Sequence, residues 1–582
     1  MRLSIAGIVT ATALGLAVVA MAPAQGTPPA AAEARSSTPP NVIIILTDDQ
    51  RAGTEVGMPI VMRELAGKGV RFPNAFVPTS WCCPSRASLL TGKYSHGTGV
   101  WENTSTDSYG AWPAFANGGE EKDTLATRLN DMGYRTGLFG KYLNGLDEAP
   151  PRYKPPGWDV FAGLVRGSYW NYRLSNDPIA GRPGRRTYLT DELGQQTARF
   201  IRSTPADTPL FAMFTPFAPH MPFDPGPYAG ETRRRGLTAK VMRETQWPSP
   251  SVNQEDMTGY PRYMQRLKPS ETFDKREGYT LDQVLMRTQD MLLGVDTSVG
   301  TILEALRETG RLDNTLIVFA SDNGYLLGEH RLQRKNVPYD RSIRVPLLMR
   351  FDGRLGRGVV DDRVAAANID IYATVMDALG TSNPAVDGRT LLSTSPYRSG
   401  VLLEATLWRS LRRPAYCGWR ERDFLFVRYS TGEEEFYDYR EDPYELRNAI
   451  EDPRYASLID TMRERVREEC NPRPPTFTWS ASGARAQPPS APMNVVARAQ
   501  QRTSVVEVSW RAPRETYGAP PTLFRVTSTP SGLDCEVRPA DGNGLDCSFT
   551  RAQPGVAYTF SVAAVSDAGT SDPALSNAVV LE

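Results

Sequence analysis

The residues able to do chemistry are few and unevenly placed. There are three histidines (His96, His220 and His330), six cysteines, and basic residues that are mostly arginine. The densest stretch is WCCPSRASLLTG, residues 81–92, where two adjacent cysteines run into Pro-Ser-Arg. Pro84 suits the first position of a helix and Gly92 the position just past its end. Cys83 then falls at the N-cap, with Cys82 just before it. A helix N-terminus offers unpaired N–H groups and the positive end of a dipole, which favours an anion. Arg86, in the first turn, is on the wrong side of that dipole unless it contacts an anionic group. On these residues alone a metal site, a nucleophile and a buried structural thiol all stand. Adjacent cysteines rarely bond each other, because the geometry strains the peptide.

Two acidic pairs add to the inventory. NVIIILTDDQ ends in Asp48-Asp49, and NTLIVFASDNG ends in Asp322-Asn323. Each is a continuous apolar run, the pattern of a strand buried on both faces of a parallel sheet. Asp and Asn after a strand are ordinary turn residues. They are also hard oxygen ligands, and without Cys or His they suit Ca²⁺ before Mg²⁺.

The elements that must position these residues follow from the wider pattern. Amphipathic helical stretches, such as 123–132 and 281–306, alternate with the strands, which indicates an α/β domain with helices on both faces of a largely parallel sheet. Sites in such folds form at the carboxyl ends of strands. Residues 400–470 are strand-rich and end in a helix, the pattern of a smaller subdomain. A Pro/Ser/Ala linker follows, over 476–489. From 490 to 582 short alternating strands recur, with Trp510 on the second and Tyr558 before another, which predicts a β-sandwich with a tyrosine corner.

At 582 residues the chain exceeds one ordinary core, so several domains are expected. A formal net charge of zero argues against nucleic acid or an acidic membrane surface as the main partner. Residues 1–24 have signal-peptide grammar, with cleavage expected near Ala24 and an uncleaved N-terminal anchor as the alternative. The expected product is secreted, with no stable membrane span. Export permits disulfides. Cys535 and Cys547 flank the turn DGNGLD and are expected to pair as a hairpin staple, with Cys417 and Cys470 as the second pair. The acidic runs GGEEKD and GEEE are expected to be solvated loops.

Cys82-x-Pro84-Ser85-Arg86, followed by Thr91-Gly92, resembles the C-x-P-S-R-x-x-x-x-T-G signature of type I sulfatases at every fixed position. The resemblance implies an alkaline-phosphatase-like sulfatase fold over about residues 40–475. It also implies that Cys82 is oxidised to formylglycine by a formylglycine-generating enzyme, while Cys83 stays a thiol. One hydroxyl of the hydrated aldehyde attacks sulfur, and the second allows sulfate to be expelled; a plain Ser or Cys would stall at the ester. The same resemblance implies a calcium ion held by Asp48, Asp49, Asp322, Asn323 and the modified Cys82, with Mg²⁺ the less favoured ion. GYRTGLFGKYLNG implies that Lys141 binds sulfate, and APHMPF that His220 contacts sulfate or the leaving oxygen. In LGEHRLQRKNVPYDRSIRVPLLMR, Lys335 is the second sulfate-binding lysine and a candidate general acid. FYDYREDPYELRN is similar to a late structural marker of the family.

One departure matters. Many arylsulfatases carry a His two residues after the GK lysine, where this chain has Leu143. GKYLN, CCPSRASLLTGKYSH and SYWNYRL look like the N-acetylglucosamine-6-sulfatase and extracellular heparan-sulfatase branch. The expectation is therefore a secreted sulfatase acting on sulfated saccharides or small aryl or alkyl sulfate esters. The C-terminal stretch resembles a fibronectin type III module, an immunoglobulin-like sandwich. The alternatives are a phosphomonoesterase or phosphodiesterase on the same scaffold, and a secreted carbohydrate-binding protein with a dead site.

Overall fold

The computed structural model describes residues 39–175, 187–273, 278–363, 365–392, 398–479, 488–500, 505–513, 521–539, 545–566 and 569–581. The proposed signal segment 1–24 lies outside these residues, as does most of the proposed linker. Five parallel strands form the centre of a nine-stranded sheet. They are β1 (Asn41–Thr47), β2 (Arg135–Gly140), β3 (Val160–Arg166), β4 (Leu210–Thr215) and β5 (Thr315–Ser321). Their order is β5-β1-β4-β2-β3. Antiparallel additions at the two edges make the whole sheet mixed. Leu347–Arg350 runs against β5, and Arg173–Leu174 runs against β3.

The apolar runs behave as their composition requires. In β1, Ile43 and Ile45 enter one core, whereas Val42, Ile44 and Leu46 enter the other. The first core is covered by two helices, α3 (Leu189–Ser203) and α4 (Leu281–Glu308). The second is covered by α1 (Cys82–Thr91), α2 (Leu125–Asp131) and α5 (Asp370–Ala378). Burying side chains of this size stabilises by about 1.5–3 kcal/mol each, so both faces hold the sheet. Helix starts follow local capping. Thr280 and Gln283 form a reciprocal capping box at α4, and Thr124 and Thr127 form one at α2.

The C-terminal subdomain is a four-stranded antiparallel sheet, Gly400–Ala405, Tyr416–Glu421, Phe424–Tyr429 and Glu434–Asp438, packed against the helix Ala456–Glu469. Cys417 on its second strand pairs with Cys470 just after that helix. The last module has two antiparallel sheets around Trp510, Phe524, Phe560 and Val562. The backbone N–H of Gln553 donates to the Tyr558 hydroxyl at 3.2 Å, the contact of a tyrosine corner.

Three sequence expectations need correction. The acidic runs are not simply solvated. Glu121 is buried and accepts from Trp112 Nε1, Tyr142 and Tyr153, while Glu435 is buried among the hydroxyls of Tyr339, Tyr429 and Tyr437. Aromatic donors satisfy these carboxylates in place of water. Cys535 and Cys547 pair, but as no hairpin staple: their strands, Asp534–Val537 and Asp546–Phe549, lie in different sheets of the sandwich. Finally, α1 begins at Cys82, two residues earlier than expected, with Trp81 as its N-cap. Pro84 then occupies the third helical position. Proline is tolerated there because the first turn has no intrahelical partner for its missing N–H.

Candidate active site

Register brings the acidic pairs together. β1 and β5 pair in parallel from Asn41 opposite Thr315 to Thr47 opposite Ser321. Asp48 and Asp49 therefore leave β1 beside Asp322 and Asn323 leaving β5. The backbone N–H of Asp49 donates to Asp322 Oδ1 at 3.1 Å. Asp49 has φ 68°, a left-handed conformation uncommon outside glycine. Gly140 and Thr215 are opposite each other at the ends of β2 and β4, so Lys141 follows one and the loop to His220 follows the other. Four neighbouring strands thus deliver their next residues to the same edge.

The N-terminus of α1 meets that edge. The Cys82 thiol donates to Asp48 Oδ1 at 3.5 Å, and Lys335 Nζ donates to Cys82 Sγ at 2.7 Å. Lys141 Nζ pairs with Asp48 Oδ2 at 2.5 Å, and Lys335 with Asp49. Arg86 Nε donates to Asp322 Oδ2 at 2.7 Å and its Nη1 to the Lys141 carbonyl at 2.8 Å. Its Nη2 is buried without a hydrogen-bond partner. Arg86 therefore meets anions at the helix start, the partnership its sequence position calls for.

The electrostatics are those of a closed, charge-dense site. Burial opposes ionisation of Asp48, but Lys141, His220 and Arg86 outweigh it and hold its pKa down to about 2. Burial opposes protonation of Lys141 and Lys335, yet Asp48 and Asp49 respectively keep each pKa above the usual lysine range. Burial, followed by the Asp48 charge, pushes the Cys82 thiol up to about 12 despite the two lysines. An unmodified Cys82 is thus a poor thiolate nucleophile at neutral pH. Cys83 is also a buried free thiol, raised to about 12 chiefly by burial.

His220 donates from Nδ1 to the Met221 carbonyl, which turns Nε2 toward Asp49 Oδ2 at 3.7 Å. Burial lowers its pKa below 6.5, against the pull of Asp48 and Asp49. The other two histidines stand apart from this cluster. His96 pairs with Glu404 at 2.9 Å, and His330 contacts Gln254 at 3.1 Å and Glu445 at 3.4 Å. Leu143 is buried in the sheet core.

The donor set fits a hard divalent cation. Ligand atoms of Asp48, Asp49, Cys82 and Asp322 all lie within 4.8 Å of one another. Asn323 Oδ1 is a buried acceptor with no partner, whereas its Nδ2 donates to Asp49. Three carboxylates and an orphaned amide oxygen are the ligand chemistry of Ca²⁺ or Mg²⁺.

Sequence reasoning did not single out several residues that shape the site. The Ser85 hydroxyl donates to the Asp322 carbonyl, and Asn103 Oδ1 accepts the Cys83 N–H at 2.8 Å. Arg51 pairs with Glu329 at 2.6 Å and donates to the Tyr325 carbonyl at 2.8 Å, tying the loop after β1 to the one after β5. Arg413 donates to the carbonyls of Lys335 and Gln333. Ser85 lay within the quoted signature, but the others carry no local signal.

An α/β domain of the alkaline-phosphatase-like kind, with a cation-compatible acidic cluster facing a helix-terminal cysteine, is the class this geometry defines. The chain belongs to the sulfatase family, whose profile matches residues 40–381. The C-terminal profile of N-sulphoglucosamine sulphohydrolase matches 328–471, and a fibronectin type III domain matches 490–579. An extracellular sulfatase SULF-1 homolog of Drosophila melanogaster is 34% identical over 364 residues, covering 61% of this chain and 31% of the relative. The Homo sapiens N-acetylglucosamine-6-sulfatase is 32% identical over 389 residues, covering 63% of this chain and 67% of the relative. The chain spans from about a third to about a half of the two extracellular sulfatase homologues it matches, in fly and in Caenorhabditis elegans. Among solved structures, one in complex with its substrate D-glucosamine-2-N,6-O-disulfate superposes with a TM-score of 0.62 at 22% identity, covering 74% of this chain and 98% of the other. A phosphonate monoester hydrolase of Agrobacterium radiobacter gives 0.52, also at 22% identity, covering 74% and 95%. These two likenesses speak to the fold. Among the described residues no helix is long and apolar enough to cross a membrane.

Proposed function

We propose that this protein is an exported sulfatase that hydrolyses O-sulfate esters of sugars, such as N-acetylglucosamine 6-sulfate units, using Cys82 matured to formylglycine. The observation that carries the reading is the position of Cys82. It opens a helix, lies within reach of three carboxylates, and touches the ammonium group of Lys335. A plain thiol there would stall at the covalent ester, so that position calls for a group with a second hydroxyl. The hydrated aldehyde would supply two hydroxyls where Sγ now lies, one for attack and one for release. Maturation would require a formylglycine-generating enzyme as a partner.

In this reading Asp48, Asp49, Asp322 and Asn323, with the modified Cys82, would hold calcium, with magnesium the less favoured ion. When bound, such an ion polarises the sulfate and lowers the pKa of the diol. Lys141 and Lys335 bind the sulfate oxygens as point charges, with Lys335 also placed to protonate the departing alkoxide. Arg86 holds Asp322 and the Lys141 carbonyl, and so orients both sets. His220 presents Nε2 to the same space and contacts sulfate or the leaving oxygen. The sugar assignment draws on the names of the relatives, and export on the signal-like N-terminus and the extracellular fly homologue.

The test pairs a mass spectrum with a turnover assay. The Cys82 peptide should lose the mass difference between a thiol and an aldehyde, and aryl sulfate should be cleaved in preference to aryl phosphate. Retention of both thiols in an active preparation, or preference for phosphate, would overturn the reading.

A further inference from the structure

A short turn of the C-terminal subdomain, from Trp408 to Arg413, approaches the site, and its chemistry is unusual. Arg413 is buried, yet no carboxylate among the described residues pairs with it. Burial draws its pKa down to about 10. A buried guanidinium without a counter-charge is costly. Both terminal nitrogens are committed to backbone carbonyls, Nη1 to Lys335 and Nη2 to Gln333, the latter at 2.8 Å. The guanidinium also lies over the Trp408 ring, 5.1 Å from its centroid. Trp408 and Arg413 exchange backbone hydrogen bonds of 3.0 and 3.2 Å, which close the turn between them. The Trp408 ring in turn packs on Trp81, the residue before Cys82, with centroids 4.9 Å apart.

Trp81, Trp408 and Arg413 therefore form a continuous stack. One end touches the neighbour of Cys82 and the other holds the backbone of Lys335. Between these ends lies the 2.7 Å contact of Lys335 Nζ with Cys82 Sγ. The segment carrying Lys335 needs an outside hold. Its flanking residues Arg334 and Asn336 have φ of 76° and 62°, left-handed conformations that non-glycine residues seldom keep unaided. Besides the stack, Gln333 and Arg334 pair with Leu327 and Leu326 on one side, and on the other the Asn336 N–H donates to the Ser80 carbonyl at 2.9 Å, so Lys335 itself sits between two anchored points.

We propose that Arg413 and Trp408 are positioning residues that set the separation of Lys335 from the residue at 82. This rests on the function proposed above only for its kinetic consequence; the brace itself is a matter of structure. Misplacing a reacting group by about 1 Å can cost on the order of 100-fold in rate. Arg413→Ala should therefore lower kcat for a sulfate monoester by about 10- to 100-fold, with little change in KM, and added methylguanidinium should restore part of the loss.

A general structural role would not give two further results. In a Lys335→Ala background, Arg413→Ala should add less than about twofold, because both changes act through the same lysine. Amide hydrogen exchange at Asn336 should rise in Arg413→Ala while α1 stays protected. A folded Arg413→Ala with kcat within twofold of the parent, a full multiplicative loss in the Lys335→Ala background, or unchanged exchange at Asn336 would each overturn the proposal. Should Arg413→Ala fail to fold, Arg413→Lys decides. A severalfold fall in kcat at constant KM supports the brace, and unchanged kcat removes it. If the parent protein releases no sulfate at all, the proposed function fails, and the exchange measurement still decides the brace.

Discussion

The central parallel sheet and the C-terminal sandwich bury their apolar residues by opposite rules. Every residue of β1 is buried, from Asn41 to Thr47. In the sandwich strand Ala557–Ser566, burial alternates residue by residue. A sheet covered on both faces has no open face for chemistry, so side chains that react must gather where its strands end. Four strands of the first region do this at one edge. The sandwich has no comparable gathering: among the described residues, no group of three metal-capable side chains lies in it. Burial pattern alone thus separates the region able to do chemistry from its neighbour.

The largest test of that division is at Cys82. Cys82→Ala should reduce sulfate release at least about 10,000-fold, as loss of a nucleophile does, whereas Cys83→Ala should retain turnover within a few fold; a steady-state assay on aryl sulfate reads both. Equal losses would erase the distinction between the two thiols. Core truncations probe the burial rules themselves. Ile44→Ala and Ile45→Ala, which face different cores, should each cost about 2–5 kcal/mol in urea unfolding. In the sandwich the neighbouring pair should split. Phe560→Ala is expected to cost about 3–5 kcal/mol, and the half-buried Thr559→Ala under about 1.

The disulfides sharpen the contrast on a smaller scale. Cys417–Cys470 closes 53 residues and Cys535–Cys547 only 12. Loop-closure entropy predicts that removing the first costs about 1 kcal/mol more than removing the second, within a typical range of about 2–4. Paired Cys→Ala variants followed by thermal melting check the order. The smallest effect concerns His96, whose pKa is raised; burial works against this, and the hydrogen bond and charge of Glu404 outweigh it. Its contribution is therefore fully present below the unfolded value near 6.5 and is lost as pH rises through the folded value. His96→Gln should flatten the stability profile in that window, and an unchanged profile would assign the slope to other groups.

Much of this was legible because it is local. A continuous apolar run ending in acids announces both a doubly covered strand and its ligand-bearing end. The same holds for α1, whose C-terminal Gly92 adopts φ 72°, although its start lay two residues earlier than Pro84 suggested. Register was not legible, since nothing near residue 41 names residue 315 as its partner. Nor was the Trp81–Trp408 contact, which joins two segments that share no periodicity. The acidic runs misled for a related reason. Charge density in a sequence does not disclose that three tyrosine hydroxyls converge on Glu435.

The pairing of β1 with β5 also sets a clock. The bond from the Asp49 N–H to Asp322 spans 273 residues. A chain made from its N-terminus at about 5–20 residues per second has the first half of the acidic cluster for tens of seconds before the second half exists. During that interval Cys82 has no completed site around it, whereas in the finished fold it has no exposed surface. The long connection therefore opens, and then closes, a window in time during which this side chain is not yet enclosed by its site.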